Sequence, residues 1–432
     1  MTLRLDAADP DFAAAFAALV EARREADAGV SAAVSEILAD VRARGDAAVA
    51  ERTLRFDGHD LARTGWRIDR AACRAALDGL DRELREAITL AANRIRAYHE
   101  GQRPADREHV DAAGVRLGAR WRAVDSAGLY VPGGRAAYPS SVLMNAIPAK
   151  VAGVGRLAMV TPTPKGEVNP LVLAAAEIAG VDEVWRVGGA QAIAALAYGT
   201  ERIAAVDVIV GPGNAWVAEA KRQLYGRVGI DMVAGPSEIV VVADGANDPE
   251  WIAADLLSQA EHDPTSQSIL FTDDDAFADA VAAAVERQLE SLATRETATA
   301  SWRANGAIIL VPALADAIPL CDRLAPEHLE LAVADPEPLF ARVRHAGSVF
   351  LGRYTPEAVG DYVGGPNHVL PTGRRARFAS GLSVLDFMKR TSFLACDADS
   401  LARIGPAAVA LARAEGLPAH GRSVALRLGR TI

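Results

Sequence analysis

The chain has 432 residues but only three cysteines, Cys73, Cys321 and Cys396, which stand far apart. An odd number of thiols at wide spacings argues against a disulfide framework, and the lack of C-x-x-C pairs argues against a cysteine-type zinc ribbon. We therefore interpret all three side chains as reduced thiols. This pattern excludes the class of small disulfide-bonded secreted proteins.

Clusters of positive charge are also scarce. The formal net charge is −10, and the locally basic stretch is "GRRARF" at 373–378. A nucleic-acid partner needs a basic footprint that displaces phosphate counterions, so this composition argues against such a partner. We interpret the basic stretch as a solvated loop. A small phosphate-bearing ligand is not excluded.

Long apolar runs are missing as well. The most apolar window, "VLMNAIPAKVAGVGRLAMV" at 142–160, is interrupted by an asparagine, a proline, a lysine and an arginine, which excludes a membrane span. The N-terminal stretch "MTLRLDAADPDF" carries acidic residues and a proline where a signal peptide has apolar residues. The sequence therefore predicts a cytoplasmic protein.

The remaining composition is ordinary globular material, since half of the residues are hydrophobic and 24% are charged. The length predicts two or more domains. Residues 11–98 have apolar positions three and four apart, which predicts helices. The stretch after Gly381 also predicts helices and is too short to hold a core of its own.

Two central regions, 156–231 and 238–334, alternate short apolar runs with helical stretches. Runs such as "RLAMVTP", "VDVIVGPG", "SEIVVVAD" and "SQSILFTD" are typical of buried strands. Alternation of this kind predicts right-handed βαβ units. The sequence therefore predicts an α/β fold with two Rossmann-like parallel-sheet lobes.

Three glycine turns are placed where predicted strands end: "YVPGG" at 130–134, "VGGAQ" at 187–191 and "VGPGNAW" at 210–216. Glycine at the carboxyl end of a parallel strand lets backbone N–H groups approach a phosphate. The usual dinucleotide fingerprint is not met, and each turn alone is also explained by plain chain reversal. Their clustering in one lobe leaves a nucleotide site and a structural role equally open.

A pair of polar residues three apart, Gln259 and His262, closes the predicted helix "WIAADLLSQAEH". Residues at this spacing share a helix face, so the amide oxygen and the imidazole can converge on one point. Two ligands do not complete a zinc site, and a surface pair is the plainer interpretation. Further candidates stand in polar segments suited to loops: Glu327, His328, Asp361, His368, Glu415 and His420.

The segments around these candidates resemble one protein family. In chain order they are "GPSEIVVVAD", "DLLSQAEHDPTSQ", "APEHLEL", "GDYVGGPNHVLPT" and "EGLPAHGRS". They are similar to histidinol dehydrogenase, and the motifs run from the Tyr130 turn to His420. The resemblance implies a homodimeric zinc enzyme that oxidises L-histidinol through the aldehyde to L-histidine with NAD, at the end of histidine biosynthesis.

The resemblance also implies roles for individual residues. Gln259, His262, Asp361 and His420 would bind Zn²⁺, with the C-terminal histidine supplied by the partner subunit of the dimer. We assign His328 to removal of the hydroxyl proton and Glu327 to activation of water. Substrate contacts are implied for Ser237, Gln259, His262, His328, Asp361, His368, Glu415 and His420, and NAD contacts for Tyr130, Gln191 and Asn214.

The predicted lobes follow from these roles. The first lobe, with the zinc and the substrate, takes residues 1–129 together with 238–380. The second lobe, with NAD, takes 130–237. Residues 381–432 form a helical dimerisation segment that packs on the partner subunit. Because the ligand set lacks sulfur, Mn²⁺ or Co²⁺ could take the place of zinc.

Three alternatives stay open from the sequence. A zinc hydrolase would use Glu327 or His328 to activate a metal-bound water, and its glycine turns would be only turns. A non-catalytic metal-dependent assembly protein would use the same ligands without turnover. Cys321 could act as a thiohemiacetal nucleophile, although "LCDRLAPEH" is typical of a helix whose thiol packs inward.

Overall fold

The computed structural model describes residues 2–22, 28–133 and 138–430. It divides into a larger unit, Met1–Gln102 with Asp125–Phe387, and a smaller unit, Arg103–Val124 with Met388–Ile432. Among the described residues, no helix combines the length and the apolar character that crossing a bilayer requires.

The described chain forms fifteen strands: β1 Leu3–Asp6, β2 Arg67–Ile68, β3 Arg107–Val110, β4 Arg116–Ala123, β5 Ser126–Tyr130, β6 Arg156–Val160, β7 Glu183–Trp185, β8 Val208–Val210, β9 Gly229–Ile230, β10 Glu238–Ala243, β11 Gln267–Thr272, β12 Ala307–Leu310, β13 His328–Ala332, β14 Ser348–Leu351 and β15 Met388–Ala395.

The same residues form eighteen α-helices: α1 Phe12–Glu21, α2 Ala28–Arg44, α3 Asp46–Asp57, α4 Leu61–Thr64, α5 Arg70–Asp78, α6 Arg82–Glu100, α7 Pro139–Ala152, α8 Pro170–Ala179, α9 Gly189–Tyr198, α10 Ala215–Leu224, α11 Pro249–Ala260, α12 Asp275–Ser291, α13 Arg295–Asn305, α14 Leu314–Leu324, α15 Glu337–Phe340, α16 Glu357–Tyr362, α17 Ala398–Ala414 and α18 Pro418–Arg427.

The first sheet of the larger unit has six described strands in the order β1-β12-β11-β10-β13-β14, and all of its pairs are parallel. Its central strands β10, β11 and β13 are buried along their whole length, as expected for a parallel sheet with helices on both faces. The strand order reverses next to β10, because β11 lies on one side of it and β13 on the other.

The second sheet repeats this topology within the described residues, in the order β2-β7-β6-β5-β8-β9. Only the edge strand β2 runs antiparallel to its neighbour. The order reverses next to β5, between β6 and β8. In open parallel sheets a ligand binds at the carboxyl ends of the strands beside such a reversal. Both sheets therefore have one position where a ligand crevice is expected.

Local sequence explains how these helices begin. Asp248 caps α11 with its carboxylate, which accepts from the Glu250 N–H at 2.9 Å, and Pro249 takes the first helical position. Asn214 caps α10 in the same way, accepting from Trp216 at 3.1 Å. These caps satisfy N–H groups that have no partner inside the helix.

The predicted α/β fold with parallel-sheet lobes is confirmed, and the predicted strands at β6, β8, β10 and β11 are all present. The sequence pattern missed short edge strands such as β1 and β14, which have too few residues to show a period. The lobe boundaries stay a prediction, although β2 and β5, inside the segment predicted for the first lobe, pair in the second sheet.

The smaller unit adds a strand to the C-terminal stretch, which the sequence predicts to be mostly helical. Its strand β15 pairs antiparallel with β4 along eight residues, and β3 completes a three-stranded sheet among the described residues. Helices α17 and α18 follow, and α17 begins with a capping box between Asp397 and Ser400. The helical pattern could not show this sheet, because its partner strands are more than 260 residues apart in sequence.

Candidate active site

The end of α11 places Gln259 and His262 in contact, as the helical spacing predicted. Gln259 is fully buried, and its Nε2 donates a hydrogen bond of 3.0 Å to Nδ1 of His262. The helix ends at Ala260, so His262 lies just past it in a turn and is exposed. The pair therefore links the buried interior to the protein surface.

The segment before β13 brings Glu327 and His328 to the same place. Helix α14 ends at Leu324, and the next residue, Ala325, takes a left-handed conformation with φ +46° that reverses the chain into the strand. Glu327 Oε2 accepts from the Glu238 N–H at 3.1 Å, and His328 Nδ1 lies 3.0 Å from the Glu238 carbonyl oxygen. Glu238 of β10 thus positions both side chains, and Glu327 Oε2 lies 3.9 Å from His328 Nδ1.

The hydrogen bonds of His328 define which of its nitrogens is free. Nδ1 lies within 3.0 Å of two oxygens, the Glu238 carbonyl and the Gln259 amide oxygen at 2.9 Å. Both oxygens are acceptors, so Nδ1 must carry the proton and Nε2 keeps a lone pair. Burial lowers the pKa of His328 to about 4, which leaves the imidazole neutral near pH 7.

Helix α16 places two carboxyl groups, those of Glu357 and Asp361, near His328. Oε1 of Glu357 is 3.6 Å from His328 Nε2, and neither atom has a hydrogen-bond partner among the described residues. Burial, followed by the nearby Asp361 carboxyl, raises the pKa of Glu357 to about 8. Ser258 donates to its other oxygen at 3.2 Å. His328, Glu357 and Asp361 offer ligand atoms within 4.8 Å of one another.

Electrostatic interactions show that the remaining candidates of the larger unit surround His328. Asp361 raises the pKa of His328, whereas His262 and His368 lower it. His368 is itself kept below its ordinary pKa by burial, and its Nε2 has no hydrogen-bond partner in the described chain. Ser237 directly precedes β10, whose Ile239 pairs with His328, so Ser237 stands at the same edge of the sheet.

Two residues of the site were missed from the sequence, Glu357 and Glu238. Glu238 is the first residue of β10 and acts through its backbone, which no side-chain pattern reveals. Glu357 had a usable signal, because it stands four residues before Asp361 and the two share a helix face. Burial of Glu357 is a tertiary property that the sequence did not show.

The donor atoms fit a divalent metal. Imidazole nitrogens, carboxylates and an amide oxygen are suitable ligands for zinc. Within the group of His328, Glu357 and Asp361, buried atoms of His328 and Glu357 have no hydrogen-bond partner among the described residues. The lone pair of His262 Nδ1 accepts the hydrogen bond from Gln259.

The last two predicted residues, Glu415 and His420, belong to the smaller unit. Glu415 ends α17, and His420 lies in the first turn of α18. Both side chains are exposed in the single chain.

The residues predicted for NAD lie at the carboxyl edge of the second sheet, beside its order reversal. Tyr130 ends β5, and its hydroxyl oxygen accepts from the Gly189 N–H at the start of α9, at 3.2 Å. Burial raises the pKa of Tyr130 to about 12, so the phenol stays neutral. Gln191 is buried in the first turn of α9, and Asn214 caps α10 after β8.

The glycine turns pack closely against neighbouring segments at this edge, because glycine has no side chain. A Cβ on Gly211, which has φ +112°, would lie 2.2 Å from the Tyr130 carbonyl oxygen. A Cβ on Gly188 would lie 2.4 Å from the Pro162 side chain, in the loop after β6. The predicted turns thus converge, although Gly134 of the first turn lies outside the described residues.

The corresponding edge of the first sheet is closed by side chains. Asn247 donates to the Ala332 carbonyl oxygen at 2.7 Å, and Arg353 pairs with both carboxylate oxygens of Asp244 at 2.7 Å. These residues cover the ends of β10 and β13, where the order of that sheet reverses. The chemistry of the first sheet is instead at the opposite, amino edge, where His328 begins β13.

The second sheet and the His328 cluster lie close together within the larger unit. Tyr138, at the start of α7, follows the loop that leaves β5. Its pKa is raised by burial and also by Asp263, the residue after His262. Asp361 and Tyr138 both raise the pKa of Tyr362. The two parallel sheets, the neutral buried imidazole and the glycine-lined edge together define a two-lobed α/β enzyme.

Comparisons with known proteins assign the family. The family model described as histidinol dehydrogenase matches residues 20–428. The histidinol dehydrogenase of Zymomonas mobilis is 66% identical over 430 residues, covering 100% of both chains. That of Rhodospirillum rubrum is 65% identical and covers 100% of this chain and 99% of its own.

The structural match agrees with the sequence matches. The crystal structure of histidinol dehydrogenase from Elizabethkingia anophelis superposes with a TM-score of 0.94 at 35% identity, covering 99% of this chain and 98% of that one. The chain belongs to the histidinol dehydrogenase family and is an oxidoreductase.

Proposed function

We propose that this protein oxidises L-histidinol through L-histidinaldehyde to L-histidine, with NAD as electron acceptor and with zinc bound, in the last steps of histidine biosynthesis. The observation that carries the proposal is the state of His328. Its Nδ1 is held by two oxygen acceptors, so a neutral imidazole presents the lone pair of Nε2 inside a buried polar cluster. An alcohol oxidation needs such a base for the hydroxyl proton.

His328 takes the first proton. With the pKa held low by burial, the ring is neutral and ready to accept a proton at Nε2. Glu357, 3.6 Å from that atom, stabilises the imidazolium that forms when its own carboxyl is ionised. Gln259 and the Glu238 carbonyl keep the ring oriented throughout, since both bind the opposite nitrogen.

Glu327 serves the second oxidation, in which the aldehyde needs an activated water. Its carboxyl is buried, and burial raises its pKa well above the ordinary value, which makes its carboxylate a stronger base. The Glu238 N–H holds one oxygen in place. Adjacent positions at the start of β13 let Glu327 and His328 act on the same carbon in turn.

Gln259, His262, Asp361 and His420 are the proposed zinc ligands. Zinc, when bound, supplies a fixed attachment point for the nitrogen atoms of the amino alcohol, so its contribution is mainly positioning. Two observations support the three ligands from the larger unit. Gln259 contacts His262, and Asp361 lies close enough to His328 to raise its pKa.

The proposed substrate is a cation, so carboxylate groups in the site attract it. We assign Ser237, His368 and Glu415 to its amine, hydroxyl and imidazole groups, with His328 and the zinc ligands around them. The free Nε2 of His368 and the position of Ser237 at the same sheet edge support this set.

Tyr130, Gln191 and Asn214 are the proposed NAD contacts. NAD, when bound, accepts the hydride that leaves the alcohol or the hydrated aldehyde. Two helices, α9 and α10, begin at this edge, and their N-termini favour a pyrophosphate. The nearness of Tyr138 to Asp263 supports a nicotinamide placed towards His328.

A homodimer completes the proposal, with His420 and Glu415 reaching the site of the partner subunit. The smaller unit has twice as many Lys and Arg residues as Asp and Glu residues, whereas the whole chain has a net charge of −10. Leu394, Leu411 and Leu426 are 67%, 64% and 63% exposed in the single chain. Exposed apolar groups of this kind are typical of a surface that a partner covers.

The test is the number of NAD molecules reduced for each histidinol consumed, read from NADH absorbance and from histidine formed. Two supports the full path to the acid, and one means that the aldehyde is released. Absence of NAD reduction by the zinc-loaded enzyme would overturn the proposal and favour a hydrolase. Gln259→Ala should lower zinc content and activity together, whereas Gln288→Ala, whose side chain donates to Glu250 away from the site, should change neither.

A further inference from the structure

The second sheet contains a fully buried ion pair that the proposed chemistry does not use. Lys221 lies in α10, Asp231 directly follows β9, and both side chains are 1% exposed. The lysine ammonium contacts Oδ1 of the aspartate. A buried pair of this kind is seldom a gain in stability over apolar residues of similar volume, because both charges lose their hydration.

The pair binds the backbone of a single residue, Gly211. Lys221 Nζ donates to the Gly211 carbonyl oxygen at 3.0 Å, and Asp231 Oδ2 accepts from the Gly211 N–H at 2.8 Å. Both polar groups of one glycine are thus bound by two opposite charges that also bind each other. Rotation of either neighbouring peptide would break a charge-assisted hydrogen bond in a place that water does not reach.

Gly211 is the residue whose orientation matters most at this edge. It follows β8, has φ +112° and packs directly on the Tyr130 backbone. The chain leaving it passes through Pro212 and Gly213 to Asn214, which caps α10. The direction of the Gly211 peptides therefore determines where Asn214 and the N-terminus of α10 point.

We propose that Lys221 and Asp231 are positioning residues of the dinucleotide site, which hold the turn 211–214 in the orientation that NAD binds. This inference rests on the NAD site of the proposed function. Among the described residues, the side chains of Lys221 and Asp231 bind each other and Gly211 rather than the His328 cluster, so we expect their effect to fall on the nucleotide.

The experiment compares two double variants that each remove both charges of an ion pair, since removal of one partner leaves a buried charge. Lys221→Met with Asp231→Asn tests the proposal. Lys150→Met with Asp182→Asn is the matched control, because Lys150 pairs with Asp182 at 2.8 Å in the same lobe. Asp182 likewise binds a strand N–H, that of Leu157 at 2.8 Å, but at the amino edge of the sheet.

For the Lys221/Asp231 variant we expect the KM for NAD to rise by about tenfold or more, with kcat, zinc content and the KM for histidinol within about twofold of the wild type. The control variant should keep the wild-type KM for NAD. An unchanged KM for NAD in a folded Lys221/Asp231 variant would overturn the inference, while wild-type NAD reduction would still support the proposed function.

If the variant does not fold, hydrogen exchange of the wild-type protein tests the inference instead. The Gly211 amide should be strongly protected without NAD, because its acceptor is a buried carboxylate. Rapid exchange of that amide in the NAD-free enzyme would contradict a held turn. If the wild type fails to reduce NAD at all, the proposed function fails, and the inference about the dinucleotide fails with it.

Discussion

Nδ1 of His328 lies 2.9 Å from the amide oxygen of Gln259. This contact joins the residue proposed as the base to a residue proposed as a zinc ligand. Because the amide oxygen can only accept, the contact also keeps the proton on Nδ1 and directs the lone pair of Nε2 towards Glu357. The orientation of the base and the assembly of the metal site are therefore parts of one hydrogen-bonded arrangement.

His328→Asn should separate the roles of the two ring nitrogens, which are hydrogen bonding at Nδ1 and proton removal at Nε2. The asparagine amide can still donate from near the Nδ1 position, but it offers no base at Nε2. We expect kcat to fall by roughly 10²–10⁴, with zinc content and thermal stability close to the wild type, measured by NADH formation and by calorimetry. His345→Asn, outside the site, should retain activity. A fully active His328→Asn enzyme would show that another group removes the proton.

Glu357→Gln should slow the reaction without removing the base. The amide cannot stabilise the imidazolium that forms at His328 Nε2, 3.6 Å away. We expect kcat to fall by about 10–100-fold, with a smaller change in the KM for NAD. Glu337→Gln, an exposed glutamate at the start of α15, is the control and should have no effect. Equal kcat values for both variants would remove Glu357 from the mechanism.

Glu327→Gln should affect the second oxidation most. The glutamine oxygen can still accept from the Glu238 N–H, so the site should stay folded, but it cannot activate water. We expect NAD reduced per histidinol to fall from two towards one, with aldehyde trapped by a hydrazine reagent. Zinc content and oligomeric state should match the wild type. A stoichiometry of two at an unchanged rate would contradict this role.

Cys321 should be inert. It is fully buried in α14, and burial raises its pKa far above that of a free thiol, so little thiolate forms. We expect Cys321→Ser to keep full activity, and peptide mapping after alkylation of the native enzyme to find Cys321 unmodified. The exposed Cys396 should be alkylated in the same sample and serves as the internal control. Alkylation of Cys321 together with loss of activity would revive the thiohemiacetal alternative.

Asp255 and Glu330 should make stability depend on pH. Burial raises the pKa of Asp255 from 3.8 to about 6 and that of Glu330 well above its ordinary value. The folded protein therefore keeps protons that the unfolded chain has released. This contribution is complete below about pH 4 and is lost as the pH rises through about 6, with a magnitude of about 3 kcal/mol for Asp255.

Denaturant unfolding at about pH 4.5 and about pH 7 measures this effect. The free energy of unfolding of the wild type should fall with pH relative to that of Asp255→Asn with Glu330→Gln, which cannot titrate there. Glu286→Gln, an exposed carboxyl on α12, should follow the wild type. Parallel pH curves for the wild type and the double variant would contradict the prediction.

Much of the fold could be predicted from the sequence because local spacing determines it. The apolar runs of β10 and β11 alternate with helices, and that alternation leads to parallel sheets. The contact between Gln259 and His262 was also predictable, since three residues along a helix end bring two side chains to one face. The roles of these residues in zinc binding stay predictions.

Other features depend on residues that are distant in sequence and that packing alone brings together. The β15 strand was not predicted, because its partner β4 is supplied from a remote segment. The Glu357 carboxyl meets His328 only after α16 packs near β13. The hydrogen bonds of Lys221 and Asp231 to Gly211 need both α10 and the residue that follows β9.

The sequence by itself determined most of the helices and the central strands of the two parallel sheets, since hydrophobic period and capping residues act over a few positions. It also determined which polar residues were available for chemistry. Only the tertiary structure decided which nitrogen of His328 is free, which carboxyl faces it, and which sheet edge stays open. These depend on burial and on hydrogen bonds between distant segments, and such interactions exist only when the chain is packed.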